Sequence, residues 1–204
     1  MGFGIIMYII ITVRDKNGKI ILKRKRVSKS ALSNYLKWIR SWLTITTQAG
    51  YPSAFTMVDT SGTARNYPKT VASFAGHFGR GGSPTSLIVA GIIFGSGDDP
   101  VNPDNYKLDT PFTQGSGVGS LLYYETNCSS VTVDDMVSGF LFERQARNDS
   151  GGNQSITEVA CYFETVDSGG SQRIICMVRD LLDTPITLAQ GQSITASYLI
   201  QATA

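Results

Sequence analysis

Short apolar segments separated by turn residues recur from residue 54 to the end of the chain, and this pattern constrains the fold more than any other feature. The segments are rich in β-branched and aromatic residues, which favour strands, and Gly, Asn, Asp, Ser and Pro separate them. No helical periodicity lies between them. They predict strands over 54–59, 70–78, 86–94, 119–127, 131–133, 137–147, 156–166, 172–179 and 193–202. We therefore predict a mainly β protein with a jelly-roll-like antiparallel β-sandwich.

The N-terminal residues predict a β-hairpin. Two strand-like segments, 5–14 and 20–26, flank Asn17-Gly18, and both turn positions tolerate the positive φ that a tight hairpin needs. The apolar run over 3–13 is eleven residues long, whereas a membrane-spanning helix needs about 20. We expect the first strand to serve in assembly through Ile5, Ile6, Tyr8, Ile9, Ile10, Ile11 and Val13.

One amphipathic helix follows the hairpin. Ser28 or Ser30 is predicted to cap it, and it runs to about Leu43. Its apolar residues recur at the spacing of one helical face. The predicted packing face comprises Leu32, Tyr35, Leu36, Ile39, Trp42 and Leu43. Hairpin and helix together form an expected anchoring or assembly element over 1–48, and the sandwich domain occupies 49–204.

Charge is concentrated in this N-terminal element. Residues 14–40 carry a net charge of +9, and the remaining residues carry −7. The expected basic patch comprises Lys23, Arg24, Lys25, Arg26, Lys29, Lys37 and Arg40. Such a patch is typical of contact with nucleic acid or an acidic partner. Two alternatives stay open: a solvated strand end that protects a sheet edge, and docking onto the acidic body of another copy.

Candidate catalytic and metal-binding residues are few. His77 is the only histidine, and no nucleophile or carboxylate accompanies it in a recognisable motif. Asp98, Asp99, Asp104 and Asp109 offer oxygen ligands on one loop, but their spacing does not fit a calcium motif. Only 17% of the residues are charged, against about 25% in typical soluble domains. We therefore expect a non-enzymatic protein with no cofactor and no metal site.

Two of the three cysteines allow alternative interpretations. Cys161 and Cys176 lie on the arms of a predicted hairpin, and they are directly opposite if its turn is centred on Ser168-Gly169. One interpretation is a pair of small buried side chains, and the other is a cross-strand disulfide.

Three stretches resemble a loosely defined group of virion structural proteins from tailed phages and archaeal viruses. They are residues 88–109, IVAGIIFGSGDDPVNPDNYKLD; the turn 144–152 with the strand 156–163, ITEVACYF; and the closing segments 176–180, 185–188 and 191–200. Where the group has glycine after Glu158-Val159, this chain has Ala160. The resemblance implies a capsid, decoration or tail and appendage subunit. It would be made in the host cytoplasm without a recognisable signal peptide, located in the virion, and associated with itself as a trimer, ring or polymer and with other virion proteins.

Three other functions remain open. The chain could be a cell-surface filament or pilus subunit joined by donor-strand exchange, for which the 4–13 segment is the natural donor. It could be a nucleic-acid-binding module that uses the basic segment. A carbohydrate-binding sandwich would need exposed aromatic residues such as Tyr106, Tyr123 and Tyr124.

Overall fold

The computed structural model describes residues 4–28, 30–43, 54–68, 90–135 and 137–203. These residues form twelve strands and one helix. In chain order the elements are β1 (Gly4–Arg14), β2 (Ile20–Val27), α1 (Ser33–Leu43), β3 (Ala54–Val58), β4 (Ala64–Pro68), β5 (Gly91–Gly95), β6 (Thr113–Gln114), β7 (Ser120–Cys128), β8 (Thr132–Asp134), β9 (Val137–Arg147), β10 (Gln154–Val166), β11 (Gln172–Leu188) and β12 (Ser193–Thr203). The predicted strand 70–78 and His77 lie outside the described residues.

The strands form three sheets. The largest has seven strands in the order β2-β1-β12-β9-β7-β6, with β8 paired to β9. The second has the order β11-β10-β5, and β3 pairs with β4 in a third. All pairs are antiparallel except β6 with β7. The prediction of a mainly β, sandwich-like fold is confirmed, whereas its jelly-roll connectivity stays a prediction.

The hairpin predicted from Asn17-Gly18 is confirmed, and it is continuous with the largest sheet. The amide of Asp15 donates to the Lys19 carbonyl at 2.9 Å, and Gly18 has a φ of 83°. Strand β1 then pairs with β12 along its whole length, from Gly4↔Thr203 to Arg14↔Ser193. The segment expected to be an added anchoring element therefore contributes a strand to the sandwich itself.

The core lies between the seven-stranded sheet and the three-stranded sheet. Its members from β1 and β12 include Ile9, Ile11 and Ile194, and those from β5 and β11 include Phe94 and Ile175. Each of these side chains is no more than 3% exposed. Burial of such side chains contributes about 1.5–3 kcal/mol each, so the pairing of the two sheets is the main source of stability.

Strand β11 is nine residues longer than predicted because a bulge accommodates Pro185. The register with β10 jumps from Glu158↔Leu181 to Ile156↔Ile186, so that residues 182–185 bulge out of the ladder. Proline has no amide hydrogen to donate, and a bulge is one of the few places in a sheet that tolerates it. Strand β9, in contrast, has the bounds predicted from its sequence.

The helix begins at Ser33, later than predicted, and it packs on a different face. Leu36, expected in the packing face, is 61% exposed, whereas Asn34 and Ser41 are each 2% exposed. The Asn34 amide causes this rotation. Its Nδ2 donates to the Val58 carbonyl at 2.9 Å, its Oδ1 accepts from the Val58 amide at 3.0 Å, and Nδ2 also reaches the Cys176 carbonyl at 3.3 Å.

The other members of the expected helix face have different positions. Leu32 is fully buried but precedes the helix, and Tyr35 packs against the core. Ile39 is half-buried, and the side chains of Trp42 and Leu43 lie outside the described part of the structure. Trp38, which was not expected there, packs against Phe163 with ring centroids 5.7 Å apart and ring planes inclined at 60°. Among the described residues, no helix has the length and apolar character that crossing a membrane requires.

Candidate interaction surface

The expected assembly strand, β1, has two faces with different roles. Ile9, Ile11 and Val13 point into the core and are no more than 3% exposed. Ile5 shares their parity but lies at the sheet end, where it is 67% exposed. The remaining three members, Ile6, Tyr8 and Ile10, point away from the core. The strand therefore supplies both core residues and part of an outward surface.

The basic residues of β2 alternate between faces, as a strand requires. Arg24 and Arg26 lie opposite Ile11 and Ile9 and point toward β11. The Arg24 guanidinium donates to the Thr184 carbonyl at 3.2 Å. This contact brings Arg24 to the bulge of β11, where residues 182–185 have no paired residue on β10.

Arg26 makes the stronger contacts with the same bulge. Its guanidinium donates to the Leu181 carbonyl and to the Asp183 carboxylate, the latter at 3.2 Å, and lies 3.6 Å from Asp180. With Arg24, it borders a cavity of about 300 Å³ between β2 and β11. Half of the basic run is thus used within the chain.

The remaining members of the basic patch are not gathered at one place. Lys23 and Lys25 are exposed on the outward face of β2, and the Lys25 ammonium lies 4.1 Å from the centroid of the Tyr8 ring. Lys37 and Arg40 are exposed on α1. Lys29 lies outside the described residues. The single patch expected from the sequence is therefore divided among separate surfaces.

The outward face of the largest sheet has one row of apolar side chains across four strands, and polar and charged side chains lie beside it. We call this surface the outward sheet face. Its members on β9, β12, β1 and β2 are Leu141, Glu143, Gln145, Thr195, Ser197, Leu199, Ile6, Tyr8, Ile10, Thr12, Lys23, Lys25 and Val27. Leu141, Leu199, Tyr8 and Val27 are consecutive neighbours in one row across the strands.

Exposure differs along that row and beside it. Val27 is 43% exposed and Ile6 is 38% exposed, while Leu141, Leu199 and Tyr8 are half-buried by their neighbours. The next row contains Glu143, Ser197, Ile10 and Lys25. Its acidic residue therefore lies on β9, and its basic residue lies on β2. Ser197 Oγ donates to the Glu143 carboxylate at 3.3 Å.

The buried charges hold loops and strands together. Glu158 and Arg179, 0% and 1% exposed, form an ion pair with Oε2 and Nε 2.9 Å apart. The Glu158 carboxylate also accepts backbone amides from Gly97 at 3.2 Å, Asp109 at 3.2 Å and Thr110 at 2.9 Å. This carboxylate is therefore saturated with donors from the loop that follows β5.

Asp180 is a second buried carboxylate, and it connects the N-terminal segment to β11 and β12. It accepts from Ser28 Oγ at 2.7 Å, Ser30 Oγ at 3.2 Å and Tyr198 Oη at 3.1 Å. Burial raises the pKa of Asp180, and these donors together with Arg26 oppose that rise. A perturbed pKa is common at active sites, but here the carboxylate is enclosed by its structural donors.

Asp98, Asp99 and Asp109 form the one candidate metal site among the described residues. Their carboxylate oxygens lie within 4.8 Å of one another, and all three side chains are exposed. Asp104 is not part of this group. Calcium takes six to eight oxygen ligands, and exposed acidic groups of this kind are also ordinary features of loops.

An apolar cavity of about 460 Å³ lies where α1 meets the ends of the two larger sheets. Its walls come from β1, β7, β9 and β12 on one side and from β10, β11 and α1 on the other. The side chains that line it are Ile5, Met7, Tyr35, Trp38, Thr126, Cys128, Phe140, Phe142, Cys161, Met177, Val178, Tyr198 and Ile200.

The two cysteines expected to face each other are both buried and unbridged. The turn is centred on Gly169, because Val166 pairs with Gln172, and this places Cys176 opposite Tyr162. A bulge between Cys161 and Tyr162 then moves Cys161 opposite Val178. Burial raises the pKa of both thiols. The disulfide interpretation does not hold in this structure, and the interpretation as small buried side chains fits it.

Sequence reasoning missed the partners of β1 on the outward sheet face. Leu141, Glu143 and Leu199 alternate with buried residues of β9 and β12, which marks them as outward-facing once those strands are assigned. Their position beside Tyr8 could not be read from the chain, because it depends on which strands are neighbours.

Comparisons with protein-family models, with curated proteins and with solved structures found no match to this chain.

Proposed function

We propose that this chain is a non-enzymatic virion structural protein that assembles with copies of itself, as a capsid, decoration or tail and appendage subunit. The observation that carries the proposal is the outward sheet face, where one row of apolar side chains extends across four strands and ends in the exposed Val27. A contiguous exposed apolar patch on a soluble protein commonly marks a surface that another protein covers. The resemblance of the three stretches to virion proteins agrees with this role.

The use of the buried charges also favours a structural role. Glu158 and Arg179 fix the loop after β5, and Asp180 fixes the segment before α1, each through donors of the same chain. A catalytic group needs free hydrogen-bonding capacity directed at a substrate. These groups use that capacity to hold the fold.

The alternatives receive less support. In donor-strand exchange a strand from another subunit completes the sheet, but β1 already pairs with β12 of its own chain along eleven residues. Nucleic-acid binding needs several basic side chains on one surface, and Arg24 and Arg26 are directed at β11. Of the aromatic residues that carbohydrate binding would need, Tyr123 is 5% exposed, whereas Tyr124 is 41% exposed.

Self-assembly is tested by light scattering of the full-length chain over a hundredfold range of concentration. We expect a defined mass of at least twice the 22.1 kDa of one chain. A monomer at every concentration would overturn the proposal. Deletion of the first strand is unsuitable as a test, because Ile9, Ile11 and Val13 belong to the core. Immunogold labelling of purified virus particles tests the location in a virion.

A further inference from the structure

We infer that two copies of this chain associate face to face through the outward sheet face, about a two-fold axis parallel to its strands, with Lys25 of each copy opposite Glu143 of the other. This inference rests on the proposed self-assembly and adds to it the surface, the symmetry and the paired charges. It follows from the order of residues across four neighbouring strands.

The rows of the outward sheet face are self-complementary. The order across β9, β12, β1 and β2 is Leu141, Leu199, Tyr8, Val27 in one row and Glu143, Ser197, Ile10, Lys25 in the next. A two-fold axis along the strands, between β1 and β12, reverses this order in the second copy. It places β9 opposite β2 and β12 opposite β1, so the apolar row of one copy faces the apolar row of the other.

The charges select this axis over the other one available in the plane of the interface. With the axis along the strands, the bases at the β2 side meet Glu143 and Gln145 at the β9 side. An axis perpendicular to the strands would place β2 against β2, and where it crosses the rows of Lys23 and Lys25 these lysines would face the lysines of the second copy. Like charges in direct opposition disfavour association, and the strand-parallel axis avoids this.

The surface is large enough for a specific dimer. Strands β1, β9 and β12 each contain 11 residues. With the 8 residues of β2, at about 3.3 Å per residue and about 4.8 Å between strands, the four strands present roughly 650 Å² per copy. A standard protein interface buries about 800 Å² per partner. Facing sheets in proteins commonly align their strands within about 30°, which is compatible with this axis.

The lysine and the glutamate are both available for contact between copies. Lys25 is exposed, and within its own chain its ammonium lies over Tyr8. Glu143 is half-buried and accepts one hydrogen bond, from Ser197. Because the two-fold axis repeats every contact, each dimer contains two Lys25–Glu143 pairs, and one substitution alters both of them.

The test compares charge reversals by sedimentation equilibrium. We expect Lys25→Glu and Glu143→Lys each to raise the dimer dissociation constant about tenfold, because two attractive pairs become two repulsive ones. The double variant K25E/E143K restores both attractive pairs, so its dissociation constant should return toward that of the wild type. Lys19→Glu, an equal charge change on the exposed hairpin turn, is the matched control and should leave association unchanged.

The outcomes separate this inference from the proposal on which it rests. If the dissociation constant is unchanged by both single reversals, another surface mediates assembly. That result would overturn this inference but not the proposed self-assembly. Single reversals that weaken the dimer without rescue in the double variant would overturn the strand-parallel axis. A wild-type monomer at all concentrations would overturn both. Thermal unfolding of each variant confirms that the fold is retained.

Discussion

Removal of Arg179 is expected to cause the largest loss of stability of any single polar substitution considered for this fold. Arg179 is 1% exposed, and its Nε lies 2.9 Å from the Glu158 carboxylate. Its other nitrogens donate to the Asn105 side chain at 2.9 Å and to the Asp99 carbonyl at 3.0 Å. The Arg179→Met variant fills part of the same volume but removes the charge and all three contacts.

The magnitude follows from what the substitution leaves behind. Glu158 is fully buried, and without Arg179 its charge has only backbone amides as partners. Breaking one half of a buried ion pair costs about 3–5 kcal/mol, mostly because the other charge remains uncompensated. For a chain of 204 residues, that cost corresponds to a fall in Tm of about 6–20 °C.

The assay is urea unfolding followed by tryptophan fluorescence, carried out as a double-mutant cycle. We expect Glu158→Gln to be destabilising as well, and the pair E158Q/R179M to lose less stability than the sum of the two single variants. Arg147→Met is the control, because both members of the Arg147–Asp149 pair are partly exposed, and such surface pairs contribute little to stability. Strict additivity, or a loss below about 1 kcal/mol for Arg179→Met, would refute the reasoning.

Two further predictions concern the acid stability of one turn and the packing of one glycine. Burial alone would raise the pKa of Asp59, but hydrogen bonds from the turn after β3 and from Arg65 lower it to about 2. This carboxylate therefore contributes stability at pH values above its unfolded pKa of about 3.9, and that contribution is lost as the pH falls toward 2. The Asp59→Asn variant should therefore show a flatter dependence of Tm on pH in that range. An unchanged acid transition would contradict this expectation. The Gly95→Ala variant should lower Tm, because the added Cβ would lie 2.5 Å from a Glu158 carboxylate oxygen and 2.8 Å from a backbone carbonyl oxygen. In the control Gly117→Ala the added Cβ meets no atom within 4 Å, so Tm should be unchanged. Equal Tm values for the two variants would contradict the close approach at Gly95.

The strands were predicted correctly where their position depends on residues that are close together in the sequence. Asn17-Gly18 predicted the first hairpin because the turn depends on residues within it. Strand β9 was delimited by the turns on both sides. The helix face was wrong because apolar periodicity gave no weight to Asn34, whose amide is satisfied only when β3 and β11 are in place.

The candidate surface could be predicted only in part, because its composition depends on which strands pair and in which register. The turn between β10 and β11 is centred on Gly169, which places Cys176 opposite Tyr162, and a register shift then moves Cys161 opposite Val178. A strand pattern gives the parity of each side chain but not its neighbours. For this reason Lys25 and Tyr8 were both singled out from the sequence, while Glu143 and Leu199, which share their surface, were not.

The interpretation of the basic run changes because of one irregularity in a distant strand. Pro185 places residues 182–185 in a bulge, and carbonyls near this bulge accept from Arg24 and Arg26. Two of the four consecutive positive charges are therefore directed at β11, and the other two, Lys23 and Lys25, stand on the outward sheet face. Substitution of Arg26 should accordingly reduce stability, whereas substitution of Lys25 should alter association. A basic run that bound nucleic acid would lose affinity with either change, so this separation of effects distinguishes assembly from nucleic-acid binding.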